Sequence, residues 1–148
     1  EEGIWTDVVP QKTDAGTYTV KYYIKGDAEH FYVDKGSQAS PLGTLTVTIS
    51  PLDLATTAME VSDNVFVFDG QPHRAIVKVK CGPYTISPDY YSVTYREHGN
   101  ADDAAEPNKT LFGDYDITIT AVDGSENYVG TQTSTTLLSI GKFDLANE

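Results

Sequence analysis

Apolar and polar residues alternate with period two along most of this chain. Tyr18, Val20, Tyr22 and Ile24 fall on one face of a run whose other face carries Thr17, Thr19, Lys21 and Lys25. Leu45, Val47 and Ile49 alternate with Thr44, Thr46, Thr48 and Ser50. The same rhythm returns in Val77, Val79 and Cys81, in Tyr91, Val93 and Tyr95, and in Tyr115, Ile117, Ile119 and Ala121. Successive side chains of a strand point to opposite faces, so each run predicts a strand with one buried face. Such alternation belongs to antiparallel sheets wetted on one side, because strands of parallel α/β sheets are apolar throughout. Residues 65–68 are apolar on both faces and run into Asp69-Gly70-Gln71-Pro72, a turn signal. Residues 129–140, rich in threonine and ending in Leu137, Leu138 and Ile140, predict the last strand. Residues 97–109 form a polar, acidic loop with room for one helical turn at 101–106. With 7 prolines and 12 glycines spread along the chain, no long helix fits.

The chain also repeats itself. Ile49-Ser-Pro-Leu-Asp-Leu-Ala55 returns as Ile140-Gly-Lys-Phe-Asp-Leu-Ala146. Upstream, Gly16-Thr-Tyr-Thr-Val-Lys-Tyr22 returns as Gly113-Asp-Tyr-Asp-Ile-Thr-Ile119. The order is the same both times: a Gly-x-Tyr strand, a Gly turn, a Thr-rich strand, then Asp-Leu-Ala. A fixed period signals a repeated architectural unit. One complete copy runs over 52–141, residues 1–51 are the C-terminal half of a preceding copy, and 142–148 start a following one. Short strands with regular turn punctuation predict antiparallel β-sandwiches in tandem. A sandwich domain takes about 100 residues, so 148 residues make roughly one and a half units. The half unit would need its inner face covered by the second domain, by another chain, or through a domain-swapped dimer involving residues 1–51.

The full unit reads Phe66-Val-Phe-Asp-Gly-Gln-Pro72, Ser87-Pro-Asp-Tyr-Tyr-Ser-Val-Thr-Tyr95, Tyr115-x-Ile-Thr-Ile119 and Glu126-Asn-Tyr-Val-Gly-Thr131. In that order these motifs resemble the bacterial immunoglobulin-like repeats of the YDG/MBG type. The chain departs from that pattern at Ser125-Glu126, where glycine is usual, and in the long 97–109 loop. The resemblance implies an all-β fold of immunoglobulin-like antiparallel β-sandwich repeats in tandem. It also implies a large extracellular protein, cell-surface or secreted and often adhesin-like. Its partners would be neighbouring repeats of the same chain.

Charge narrows the partners. The formal net charge of −12 at pH 7 repels phosphate backbones, so nucleic acid is excluded as a partner. No stretch approaches about 18 uninterrupted apolar residues, so no helical insertion into a membrane is expected. No basic-then-apolar leader opens the chain, and Glu1-Glu2-Gly3 reads as the cut or mature end of something longer. Cys81 is the sole cysteine and is expected to be a small buried hydrophobe on a strand.

Little points to chemistry. His30, His73 and His98 lie in three separate turns and are expected to face solvent. No zinc, phosphate-loop or nucleophile-elbow spacing occurs, so no catalytic residue, cofactor or enzyme activity is expected. Asp102, Asp103 and Glu106, with Glu97 and Asn100 nearby, are weak calcium candidates. Their oxygens suit Ca²⁺, yet their spacing matches no EF-hand, and a solvated acidic loop is the plainer reading. Lys78 and Lys80 alternate onto the wet face, which does not suit an isopeptide cross-link. Trp5, Tyr23, Tyr84 and Tyr90 fall outside the inward alternation and are the candidate binding residues, since amphipathic rings favour contact with sugars and proteins. Three functions follow in order: a structural spacer, an adhesive module for host glycan or extracellular-matrix protein, and an accessory domain of a secreted carbohydrate-active enzyme.

Overall fold

A computed structural model of the chain describes residues 5–24 and 36–144. Strands joined by turns make up the described residues, and the only helical pieces among them are 3-10 turns at Leu54–Thr56 and Pro88–Tyr90. The chain divides into two compact units, Glu1–Pro51 and Leu52–Glu148.

The first unit holds an antiparallel ribbon of β1 (Gly16–Tyr22) and β2 (Gly43–Ile49). Tyr18 stands opposite Val47 and Val20 opposite Leu45, so the apolar alternation of both strands meets on one face. Thr17 and Thr48 pair on the other, their hydroxyls 3.4 Å apart. The apolar face was expected to be buried, but Tyr22, Leu45 and Val47 are all exposed. Among the described residues, the first unit holds no second sheet to cover the ribbon. Ile24 lies beyond the end of β1.

The second unit begins with β3 (Leu52–Asp53), which pairs in parallel with β10 (Tyr128–Val129). The Asp53 carboxylate caps the following turn by accepting the Ala55 N–H at 3.0 Å. Leu54, behind it, is wholly buried. The Asp-Leu-Ala motif therefore starts the unit with a capped turn and a core anchor. Gly130 is required across from it: the Asp53 carboxylate occupies the space a Cβ would take, and Gly130 has φ +85°. The second copy of the motif extends into 145–148, outside the described residues.

Two sheets follow. One is β4 (Ala58–Ser62), β6 (Ile76–Cys81) and β7 (Tyr84–Thr85), antiparallel throughout. The other runs in the order β5 (Val65–Val67), β11 (Thr131–Gly141), β9 (Gly113–Ala121), β8 (Tyr91–Glu97). Its pairs are antiparallel except β5 with β11. The sheets face each other across a shared core. Tyr95, Tyr115, Ile117, Leu138 and Ile140 meet Ala75, with Val61 and Val77 packed against them. Leu54, Val79, Ile86, Tyr91 and Ile119 form a second cluster. Fully burying an Ile or Leu side chain contributes about 1.5–3 kcal/mol, so these residues are the main source of stability. Tyrosine hydroxyls tie the layers: Tyr95 accepts the Ala75 N–H at 2.9 Å, and Tyr91 donates to the Val77 carbonyl at 3.3 Å.

Three expectations are corrected. Cys81 is exposed, because β6 ends there and hands the chain to a turn at Gly82 with φ +57°. Residues 101–106 form no helix: a turn at 101–102, with the Asp103 N–H on the Asn100 carbonyl at 3.3 Å, leads to a bridge at Glu106, which exchanges backbone bonds of 2.7 and 3.0 Å with Tyr95. His73 is turned inward, with its side chain 13% exposed.

β1–β2 and β9–β11 share a local geometry. Gly16 faces Ile49 as Gly113 faces Ile140, and Tyr18 faces Val47 as Tyr115 faces Leu138. Gly16 has φ +151° and Gly113 +150°, with the tyrosine ring two residues on folded against each glycine. The Tyr18 hydroxyl donates to the Asp14 carbonyl at 2.8 Å, and Tyr115 donates to Leu111 at 2.8 Å.

Candidate functional site

The 97–109 loop leaves β8 and returns to β9, and its side chains fold it onto itself. Asp103 is the pivot: Oδ2 accepts the Glu97 backbone N–H at 2.7 Å and the Lys109 ammonium at 2.9 Å. Glu106 Oε2 lies 3.1 Å from the same Nζ. The Ala104 carbonyl accepts from it at 3.1 Å. An ammonium has three protons to donate, and three protein oxygens surround this one. The Lys109 side chain is only 8% exposed, with Nζ 5.5 Å from the centre of the Tyr115 ring. Backbone bonds of 2.8 and 3.0 Å between His73 and Lys109 hold the loop's far end.

Burial alone would lower the Lys109 pKa, but its bonds to Asp103 and Glu106 outweigh that and hold it above the ordinary lysine value. The Asp103 carboxyl is held below its ordinary value, first by the Glu97 N–H and then by Lys109. The loop is thus an ion cluster that carries its own cation. Of the three calcium candidates, Asp103 and Glu106 come together, around Lys109. Asp102 is exposed, and its N–H bonds the Asn100 side chain at 3.2 Å. Among the described residues, no group of three or more His, Cys, Asp or Glu is placed to hold a metal ion.

The histidines pair with carboxylates. His73 Nε2 is 2.9 Å from Asp69 Oδ1, and its ring stacks on Phe66 at 4.4 Å between centroids. The Asp69 carboxyl is held below its ordinary value, chiefly by the Gln71 N–H and also by His73. His98 Nδ1 is 2.7 Å from Asp116 Oδ1 at the surface. His30 lies outside the described residues. Both pairs brace a turn or a strand end.

Trp5 and Tyr23 pack edge to face in the first unit, centroids 5.1 Å apart and planes at 67°. In the second unit Tyr90 tilts against Tyr128 at 4.9 Å. Tyr84, on β7 beside the Gly82 turn, is 76% exposed. Of the four, it offers the most ring surface to a ligand.

Two features escaped sequence reasoning. Lys109 is one; its signal was a lysine three residues after Glu106 and six after Asp103 in an otherwise acidic loop. The other is an open apolar groove lined by Phe68, Asp69, Phe112, Lys142 and Phe143, with Lys142 Nζ 4.8 Å over the Phe112 ring. Its signal was the apolar pair Leu111-Phe112 just ahead of a strand start.

No helix among the described residues is long and apolar enough to cross a membrane. In comparisons with known proteins, the chain matches no family model, no curated protein and no solved structure.

Proposed function

We propose that the chain is a structural spacer made of tandem immunoglobulin-like sandwich repeats of the YDG/MBG type, part of a bacterial cell-surface or secreted adhesin-like protein. The observation that carries this reading is the duplicated corner. The same glycine conformation, cross-strand register and tyrosine-to-carbonyl bond occur at Gly16–Tyr18 and at Gly113–Tyr115. A tyrosine bonding back to the chain just upstream of its strand is a hallmark of immunoglobulin-like sandwiches. β3 opens the second unit at Leu52, with only Ser50 and Pro51 between it and the end of β2, so the two units follow one another in sequence with almost no linker. The charged side chains Asp103 and Glu106 of the 97–109 loop are spent on Lys109, which suits a structural role better than a ligand site.

The test is a binding screen of the chain against host glycans and extracellular-matrix proteins at physiological salt. The spacer reading expects no saturable binding by a folded sample. An adhesive module is favoured by one observation, the exposed Tyr84 ring. Saturable binding abolished by Tyr84→Ala or Trp5→Ala would establish that reading instead.

A further inference from the structure

We propose that the apolar face and outer edge of the β1–β2 ribbon are a docking surface for an N-terminal half-unit supplied by the same polypeptide, a segment with strands of the β4, β6 and β8 kind. The inference rests on the repeat reading and adds to it the partner of this surface.

The second unit is the template. Tyr115, Ile117, Leu138 and Ile140 occupy on β9–β11 the places that Tyr18, Val20, Val47 and Ile49 occupy on β1–β2. The first set is 5%, 0%, 0% and 3% exposed. In the ribbon, Tyr18, Val20 and Ile49 are only half-buried, Val47 is 41% exposed and its neighbour Leu45 56%. Sequence, register and corner are shared, so the difference lies in what covers the face. In the second unit the cover is Val61 from β4, Val77 from β6 and Ala75, and Tyr95 flanks the face from the neighbouring β8. All of it precedes the hairpin in sequence. β8 also closes the edge of β9, from Tyr91 opposite Ala121 to Glu97 opposite Tyr115. Among the described residues the ribbon's sheet ends at β1, so the corresponding edge is unpaired. An unpaired apolar strand edge invites another strand.

Face and edge together select the occupant. A second β1–β2 ribbon laid face to face would cover Leu45 and Val47 but leave both β1 edges unpaired. A half-unit supplies both: strands of the β4 and β6 kind for the face, and an aromatic-x-Val-x-aromatic strand like Tyr91-x-Val93-x-Tyr95 for the edge.

The test compares the native chain with an extended chain in which residues 52–112 are duplicated in place of residues 1–15, so that Phe112 runs into Gly16. Hydrogen exchange by mass spectrometry is read over Gly16–Tyr22 and Gly43–Ile49, with mass by light scattering. In the native chain this ribbon should exchange fast and the mass should be that of a monomer. In the extended chain, protection should rise by at least about 100-fold, because exchange would then require opening a packed unit. Val20→Asp in the extended chain should abolish the gain. Val20→Ile with Val47→Leu matches the ribbon to Ile117 and Leu138, which removes poor packing as a cause of failure. Unchanged exchange in that matched chain overturns the proposal. A native chain that is already protected and dimeric overturns it in favour of a second copy. Neither result bears on ligand binding, so the spacer reading is judged separately.

Discussion

Replacing Tyr115 by Phe isolates the corner bond, because the ring stays and only the hydroxyl leaves. The ring is 5% exposed, and the hydroxyl donates to the Leu111 carbonyl at 2.8 Å. A neutral hydrogen bond contributes about 0.5–1.5 kcal/mol net, and this one is part-buried beside an enclosed ring, which places it toward the upper end. Tyr115→Phe should therefore destabilise the second unit by about 1–1.5 kcal/mol. For a domain of this size, 1 kcal/mol lowers the midpoint by about 4–8 °C, so a drop of at least 4 °C is expected in a calorimetric scan. Tyr18→Phe is the control. Its bond is exposed and lies in the first unit. The second unit's transition should not move. A shift under about 1 °C for Tyr115→Phe, against the 4 °C expected from the same conversion, would refute the claim that the corner holds the hairpin to its loop.

Lys109→Met should lower stability by about 1–3 kcal/mol, less than a fully buried pair, because Glu106 remains half exposed to water. In a double-mutant cycle with Asp103→Asn, read by urea unfolding, coupling below about 0.3 kcal/mol would mean the pair does not interact. At low pH, Asp69 and Asp103 should make the fold weaker: both folded pKa values lie below 3.8, so their contribution is present above that value and fades as pH falls through the folded values. Urea midpoints at pH 5 and pH 3 check the sign. At high pH, Tyr91, Tyr95 and Tyr115 should act in the opposite sense. Burial raises each above 10.0, so their contribution is present below that value and lost as pH rises through the folded values. Tyrosinate absorbance should show groups that ionise only as the chain unfolds. Cys81 should react with a maleimide in the native state, and Cys81→Ser should change stability by less than about 0.5 kcal/mol.

The antiparallel strands were legible because their period records which side is buried: Tyr115, Ile117 and Ile119 announce both the strand and its inner face. The parallel pairings of β3 with β10 and β5 with β11 were not, since no local period records which distant strand lies alongside. Cys81 kept the alternation of Val77 and Val79, yet a strand's last residue follows the turn rather than the core. The 97–109 loop read as acidic and solvated because composition does not show closure. Only the folded loop brings Asp103, Ala104 and Glu106 around one lysine. For the ribbon, the pattern identified an inward face but not whether anything sits against it.

The parallel pairs also govern how the second unit would carry tension. Leu52 and Asp53, where the chain enters, lie alongside Tyr128 and Val129, and Ser139 to Gly141, where it leaves, lie alongside Val65 to Val67. Pulling the two ends apart slides these neighbours lengthwise. Their hydrogen bonds then share the load at once instead of opening one after another like a zipper, so the unit should yield abruptly and at high force.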